Sequence, residues 1–383
     1  MSKRPRIESH GDEPERPGGG HSLSKEPDMS KLPLIGRCTG RTPPQHLYLV
    51  VEDWERGYSI HRVGEDDFDP DPNAGLHARP ADRPVVRVEA QHPHSWSFAA
   101  HGSKILAMLP PEYSPGIPVF DTETAGMTVW PSPQSRGDFG SKPWYISVGG
   151  RLLAFVYPFV EVLGPQPRPP TDRSWSWDSV EPPPPFVSSV VTGYAVHPDG
   201  RTVFVSVRDW RPDILDSRRS TFTFDMERLE WAHAGEWLLP FKGRAYYDRE
   251  LDAWVGLCLH REGAGRVCCC DVPPAPPAGS CKTMPAWKLG RDVFFGAPDS
   301  ALGHLSATLV YMGDSTFCMI EGGMPMDCDG DTRARVVKMT CFLLKFGKDG
   351  DLCATDHRAY ASLSYEVAHE RMDRTQNPVA FWM

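Results

Sequence analysis

Three consecutive cysteines, Cys268–Cys270, are the most conspicuous cluster of reactive side chains in the chain. Neighbouring residues of a β-strand point to opposite faces, so all three cannot bind one ion. Cys268 and Cys270 could do so together with Cys258 or Cys281, but the C-x2-C pairs typical of zinc sites do not occur in the sequence. We therefore interpret the cluster as small apolar side chains of an inner strand and expect no metal or cofactor.

Two other segments have the residue types of a metal site. Asp327–Asp331 reads DCDGD, but its glycine stands at position four and Lys338 at position twelve, where a calcium-binding EF-hand loop needs glycine at six and glutamate at twelve. His92 and His94 flank a proline and should splay apart from an extended loop. We expect polar surface loops at both places, with weak cation binding at the acidic loop as the alternative.

Signatures of catalysis are missing from the sequence. It contains no Walker, dinucleotide-binding, serine-hydrolase or zinc-protease motif. This favours a protein that is not an enzyme, although enzymes built on repeat scaffolds can take their catalytic residues from scattered loops.

The elements that would position any site form a repeat. A strand, tight turn, strand pattern recurs five times at steps of about 50 residues. The copies are SFAAHGSKILAML (97–109), WYISVGGRLLAFV (144–156), GYAVHPDGRTVFVSV (193–207), RAYYDRELDAWVGL (244–257) and ATLVYMGDSTFCMI (307–320). Strand-only repeats of this length are typical of a kelch-type β-propeller.

Each copy continues into two more strands, so the predicted unit has four strands. Asp121, Asp225 and Asp271 each close the third strand, where a carboxylate can cap the backbone of the turn. Helix signals are weak, and YEVAHERMDRT (365–375) is predicted to be a loop or one helical turn.

Four strands remain outside the five units. Three lie in residues 47–90, and NPVAFWM ends the chain. If the last strand joins the first three, they complete a sixth blade and close the ring. The prediction is an all-β, six-bladed kelch-like β-propeller over residues 44–383, preceded by a disordered tail over residues 1–43.

Several segments resemble a family of kelch-like repeat proteins of unknown function from grasses, rice above all. The resemblance is carried by YLVVEDWERGYSIHRV, PVFDTET, YAVHPDGRTVFVSV, FKGRAYYDRELDAWVGL, SATLVYMG and NPVAFWM, and it covers residues 45–383. A more distant similarity is to the kelch propellers of F-box proteins. The chain departs from these in lacking an F-box and in having the paired glycines of kelch blades only at 149–150 and 322–323 within the repeats. The resemblance implies a fold and a plant lineage, and it supplies no catalytic residues.

One rim of the predicted propeller is the candidate binding surface. The loop at 209–220 carries Trp210, Arg211, Arg218 and Arg219, which are residue types enriched at interface hot spots, and a second rim loop at 110–116 presents Tyr113. The arginines favour a partner rich in carboxylates. A merely solvated loop is the alternative.

The leading functional hypothesis is therefore a non-enzymatic protein-interaction module. A propeller enzyme or small-ligand binder that uses the central channel is one alternative, and an adaptor for ubiquitin ligases without an F-box is another. The predicted inner-strand residues are mainly small or aromatic, which fits a packed channel wall better than an acid/base site; they are Ser97, Ala99, Tyr145, Ser147, Tyr194, Ala195, Tyr246, Thr308 and Val310.

Composition limits the remaining possibilities. The net charge is −9 over 383 residues, which argues against binding nucleic acid. No run of apolar residues is long enough for a membrane span or a signal peptide, so we expect a cytoplasmic or nuclear monomer that is not secreted. Lys3-Arg4-Pro5-Arg6 resembles a short nuclear import signal.

Overall fold

The computed structural model describes residues 45–54, 56–68, 79–80, 83–90, 96–108, 116–135, 144–156, 158–165, 175–209, 218–275, 283–297, 300, 302–326, 334–367 and 378–383. Residues 45–383 form a compact unit. The predicted tail at 1–43, the histidines at 92 and 94 and the acidic loop at 327–331 lie outside the described residues.

The described chain is built from β-strands, with three single turns of 3-10 helix at Glu65–Asp67, Ser188–Val190 and Arg261–Gly263. The strands are β1 His46–Trp54, β2 Gly57–Gly64, β3 Arg79–Pro80, β4 Val86–Glu89, β5 Ser97–His101, β6 Lys104–Met108, β7 Gly116–Asp121, β8 Gly126–Pro131, β9 Trp144–Val148, β10 Arg151–Val156, β11 Phe159–Leu163, β12 Trp177–Ser179, β13 Val191–Val196, β14 Thr202–Asp209, β15 Arg218–Asp225, β16 Glu230–Gly235, β17 Phe241–Asp248, β18 Ala253–Cys258, β19 Arg266–Asp271, β20 Trp287–Val293, β21 Leu302–Gly313, β22 Thr316–Pro325, β23 Ala334–Phe346, β24 Leu352–Glu366 and β25 Val379–Trp382. No helix among the described residues is long and apolar enough to span a membrane.

These strands form six antiparallel blades of four. Blade 1 has the order β25-β1-β2-β4, and blades 2 to 6 take the following strands four at a time from β5 to β24, with the first strand of each innermost. The fold is a six-bladed β-propeller, as predicted. The short strand β3 lies outside the blades and pairs in parallel with β24.

Side chains alternate along each strand between the two neighbouring blades. In β10, Leu152 and Ala154 pack toward blade 2, whereas Leu153 and Phe155 pack toward blade 4. Buried apolar residues therefore fall into six clusters, each shared by two adjacent blades. Six blades with six interfaces make a closed ring, because an open arc would have five.

The ring is closed by the C-terminal strand, which confirms the predicted seam. Strand β25 pairs with β1 in the register Leu47↔Trp382 to Val50↔Val379. The backbone N–H of Met383 donates to the His46 carbonyl at 3.0 Å, and the His46 N–H donates to the Met383 carbonyl at 2.7 Å.

Two of the three predicted turn aspartates act as proposed. Asp121 accepts hydrogen bonds from Ser103 and from the Glu123 backbone, and Asp225 accepts the backbone N–H groups of Glu227 and Arg228.

The prediction for residues 365–375 was wrong at its start. Tyr365 and Glu366 belong to β24, because they pair with Arg335 and Ala334 of β23. Residues 368–375 lie outside the described part of the chain.

Candidate functional site

The predicted rim site is described in part. Arg218 and Arg219 begin β15 and are exposed, and residues 210–217 before them lie outside the described part of the chain. Trp210, Arg211 and Tyr113 lie outside the described residues, so their placement stays a prediction.

The structure adds Arg208, which the sequence analysis did not single out. It is exposed on β14 and stands directly opposite Arg219, while Asp209 stands opposite Arg218. Residues directly opposite in an antiparallel pair have their side chains on the same face. We call Arg208, Arg218 and Arg219 the arginine rim.

The facing side chains of Arg208 and Arg219 carry positive charge that the described residues do not neutralise, whereas Arg218 faces Asp209. None of the three rim guanidinium groups forms an ion pair or a hydrogen bond with a described residue. Like charges directly opposite on a sheet face are destabilising by about 0.2–1 kcal/mol. The rim is therefore electrostatically suited to carboxylates supplied from outside the fold, for which the arginine fork is well shaped.

A second candidate site lies on the innermost strands, which surround the central channel. Neighbouring innermost strands contact one another through side chains at several points around the axis. His101 of β5 lies 2.9 Å from the Ser147 hydroxyl of β9, and the Thr308 hydroxyl of β21 donates to the Pro378 carbonyl at 2.7 Å. Side chains thus link the channel wall between blades 2 and 3 and between blades 6 and 1.

The innermost strand of blade 5 departs from regular geometry at this wall. Its pairing with β18 shifts between Lys242 and Tyr246, so that the intervening segment 243–245 bulges out of the ladder. The segment pairs instead with β13 of blade 4, in parallel, with Gly193 opposite Gly243 and Tyr194 opposite Arg244. Bulges of this kind re-aim side chains and are frequent beside functional sites.

Glycine is required on both strands of this junction. Gly243 has a φ of +76°, which side-chain-bearing residues rarely adopt. A Cβ on Gly193 would lie 2.4 Å from the Phe241 carbonyl oxygen. The backbone is therefore specialised to bring the two innermost strands together around Arg244.

Arg244 is the cation that this junction presents. Its side chain is accessible to water, and its guanidinium lies over the Tyr246 ring at 4.6 Å. Burial by surrounding protein lowers the pKa of Arg244, but the Tyr246 and Tyr194 hydroxyls outweigh this effect and raise the pKa above its ordinary value.

The two tyrosines beside Arg244 contact aromatic rings of the next blades. The Tyr194 ring lies 5.3 Å from Trp144 of blade 3, and the Tyr246 ring lies 6.2 Å from Tyr311 of blade 6. Tyr194 and Tyr246 were among the inner-strand residues named from the sequence, but the sequence analysis missed Arg244. The available signal was an arginine in the middle of the inner strand FKGRAYYD.

An acid/base pair formed by His304 of the innermost strand β21 and Glu321 of β22 has a structural role. The His304 Nδ1 lies 2.9 Å from Glu321, which is almost fully buried. Glu321 also accepts the backbone N–H of Gly296 at 3.1 Å, and the Phe295 ring stacks on His304. The pair holds the segment that links blade 5 to blade 6.

The cysteine cluster behaves as an interior strand. Cys268, Cys269 and Cys270 are buried, with the first and third in one interblade cluster and the second in another. Burial raises the pKa of each of the three thiols. Among the described residues, no group of three or more histidine, cysteine or acidic side chains could hold a metal ion.

Comparison with protein families gives a match over residues 44–362 to a family described as "Protein of unknown function (DUF1668)". The chain belongs to the DUF1668 family. No curated protein is similar enough to the chain to match it.

Solved structures similar to this DUF1668 chain are distant. A putative 6-phosphogluconolactonase from Bacteroides uniformis has a TM-score of 0.43 and 10% identity, over 89% of this chain and 100% of that one. Hydrazine synthase of Kuenenia stuttgartiensis has a TM-score of 0.34 and 11% identity, over 66% and 62% of the two chains. YjhT has a TM-score of 0.36 and 10% identity, over 68% and 83%. Similarities at this level carry no argument about function.

Proposed function

We propose that this DUF1668 chain is a non-enzymatic, kelch-like interaction module that binds an acidic protein partner through the arginine rim. The observation that carries the proposal is the exposed pair of Arg208 and Arg219, held opposite each other with no ion pair to an acidic side chain among the described residues. Such a pair opposes folding slightly, and a carboxylate-rich partner would turn that repulsion into attraction.

The rigid scaffold supports this function. The ends of β14 and β15 are fixed by a ladder of eight residue pairs from Thr202↔Asp225 to Asp209↔Arg218. Below the arginines, the Ser206 hydroxyl lies 2.8 Å from Thr221 and accepts the Leu239 N–H at 2.8 Å, which ties the hairpin to the segment leading into blade 5. Arginines on a rigid hairpin lose less conformational freedom on binding than arginines on a mobile loop.

The experiment compares capture of proteins from cell extract by tagged wild-type protein and by the double variant Arg208→Gln/Arg219→Gln. A matched control is Arg228→Gln/Arg249→Gln, which removes two exposed arginines from turns at the opposite face of the ring. Mass spectrometry should identify a partner with an acidic surface that wild type and control retain and that the rim variant loses.

Salt gives a second readout. Capture by wild type should weaken as ionic strength rises, because salt screens exposed charges over about 8–10 Å at physiological concentrations. If the rim variant and the wild type capture the same proteins in equal yield, the arginine rim is not the binding surface.

A further inference from the structure

We propose that the central channel holds a binding site for a small organic carboxylate at Arg244, with the hydroxyls of Tyr194 and Tyr246 as additional donors. This site is separate from the arginine rim and does not depend on the proposed protein partner.

The first argument is that Arg244 has no counter-ion. In the part of the chain that the structure describes, its guanidinium forms neither a hydrogen bond nor an ion pair, and its polar neighbours are the two tyrosines. An accessible guanidinium without an acidic partner keeps its N–H donors free for a ligand. An anion in the channel would use those donors, since charge-assisted hydrogen bonds to a guanidinium are about twice as strong as neutral ones.

The second argument is that the backbone is specialised to place Arg244 there. A regular inner strand would keep residues 243–245 paired with β18, but here they pair with β13. This arrangement needs glycine at 193 for space and at 243 for its positive φ. It sets Arg244 beside Tyr194, whose hydroxyl makes no hydrogen bond to a described residue and remains available as a donor.

The surroundings indicate the chemical class of the ligand. A single guanidinium is matched by a monoanion, and its planar fork binds a carboxylate through two parallel hydrogen bonds. The Tyr246 ring under the guanidinium and the neighbouring Tyr194 offer aromatic surface to the body of the ligand. We therefore infer an aromatic or apolar monocarboxylate rather than a phosphate or sulfate.

The test uses 4-fluorobenzoate as the probe, with 19F NMR line broadening as the readout. The full-length protein is titrated with probe to about 10 mM, because fragments of this size bind at about millimolar strength. Wild type should bind 4-fluorobenzoate and should bind the neutral 4-fluorobenzamide at least about tenfold more weakly. Inorganic phosphate should not compete with the probe at equal concentration.

Four variants place the site. Arg244→Met should lower affinity for the probe at least about tenfold, and Arg244→Lys, which keeps the charge without the fork, should lower it by a smaller factor. Tyr246→Phe keeps the ring and removes one donor, so it should weaken binding about threefold to tenfold. Arg228→Met, on an outer turn, should bind as wild type does. Thermal unfolding of each variant shows whether it is folded.

Three results would overturn the proposal. The first is the absence of probe binding by wild type. The second is equal binding of the acid and the amide. The third is equal binding by wild type and a folded Arg244→Met variant. If Arg244→Met does not fold, unchanged binding by both Arg244→Lys and Tyr246→Phe has the same consequence. Displacement of the probe by phosphate would overturn the choice of a carboxylate.

Discussion

Removing the two aromatic side chains of the closing strand should destabilise the whole ring. Phe381 and Trp382 are adjacent on β25 and therefore point to opposite faces. Phe381 packs against the cluster between blades 1 and 2, and Trp382 packs against the cluster between blades 6 and 1. The variant Phe381→Ala/Trp382→Ala thus weakens the interblade contacts on both sides of the seam.

The size of the destabilisation follows from how far the two aromatic side chains are buried. Truncating a fully buried Phe or Trp to Ala costs about 3–5 kcal/mol. Both side chains are partly buried, so each should contribute about 2 kcal/mol. Because they enter different clusters, the losses should add to about 4 kcal/mol. In a domain of this size this corresponds to a fall in Tm of about 8 °C.

The assay is thermal unfolding followed by circular dichroism or calorimetry. The control is Met127→Ala/Val129→Ala on the outermost strand β8, where the side chains are 51% and 69% exposed and the change should be below about 1 kcal/mol. A chain lacking residues 378–383 should be destabilised further, and a synthetic peptide of that sequence should restore part of the loss by pairing with β1. Equal shifts in Tm for the aromatic and control variants would refute the seam argument.

Three further predictions concern single side chains. Glu161 is fully buried and accepts hydrogen bonds from the backbone N–H groups of Gln134 and Ser135 at 2.8 and 2.6 Å. Glu161→Ala should therefore lower the free energy of unfolding, measured by urea titration, by about 3–5 kcal/mol. The control Glu230→Ala, at an exposed position, should change it by less than about 0.5 kcal/mol. Burial raises the pKa of Asp199, but hydrogen bonds from Thr202 and from the Arg201 backbone outweigh this effect and hold the pKa below 3.8. The ionised carboxylate therefore stabilises the fold above pH 3.8, and the difference in stability between wild type and Asp199→Asn should shrink as the pH falls through the lowered pKa. A constant difference from pH 7 to pH 3 would contradict this prediction. The neighbouring Cys268 thiol lowers the pKa of the half-buried Cys258 to about 7, so iodoacetamide should label Cys258 with a midpoint near that pH and much faster than Cys268. Peptide mass spectrometry measures the labelling, with Cys258→Ser as the control, and equal labelling of both thiols would rule out this assignment.

Local patterns in the sequence were enough to predict the blades. Alternation of apolar residues, as in WYISVGGRLLAFV, marks strands whose two faces are both covered, and the tight turns fix their antiparallel pairing. The seam was predictable because β25 was the strand left without a partner, and β1 was the first strand of an incomplete blade.

Contacts between distant segments were not predictable in the same way. The pairing of Gly193 with Gly243 joins the innermost strands of two neighbouring blades in parallel. No local pattern in the sequence specifies which innermost strands will pair in this way. Arg208 and Arg219 are separated by a loop, so their opposition depends on a register that the sequence alone leaves open. The candidate sites were therefore predicted less completely than the fold.

The parallel junction at Gly193 and Gly243 also divides the ring into parts of unequal stiffness. Backbone hydrogen bonding runs from blade 4 to blade 5 at the inner radius and from blade 5 to blade 6 through Gly290 and Leu352 at the outer strands. Among the described residues, blades 1, 2 and 3 each form a separate sheet, whereas blades 4, 5 and 6 share one. Amide hydrogens of blades 1 to 3 should thus exchange with solvent through partial openings that leave the other side of the ring intact. Slow local opening would therefore be concentrated in the blades that form separate sheets.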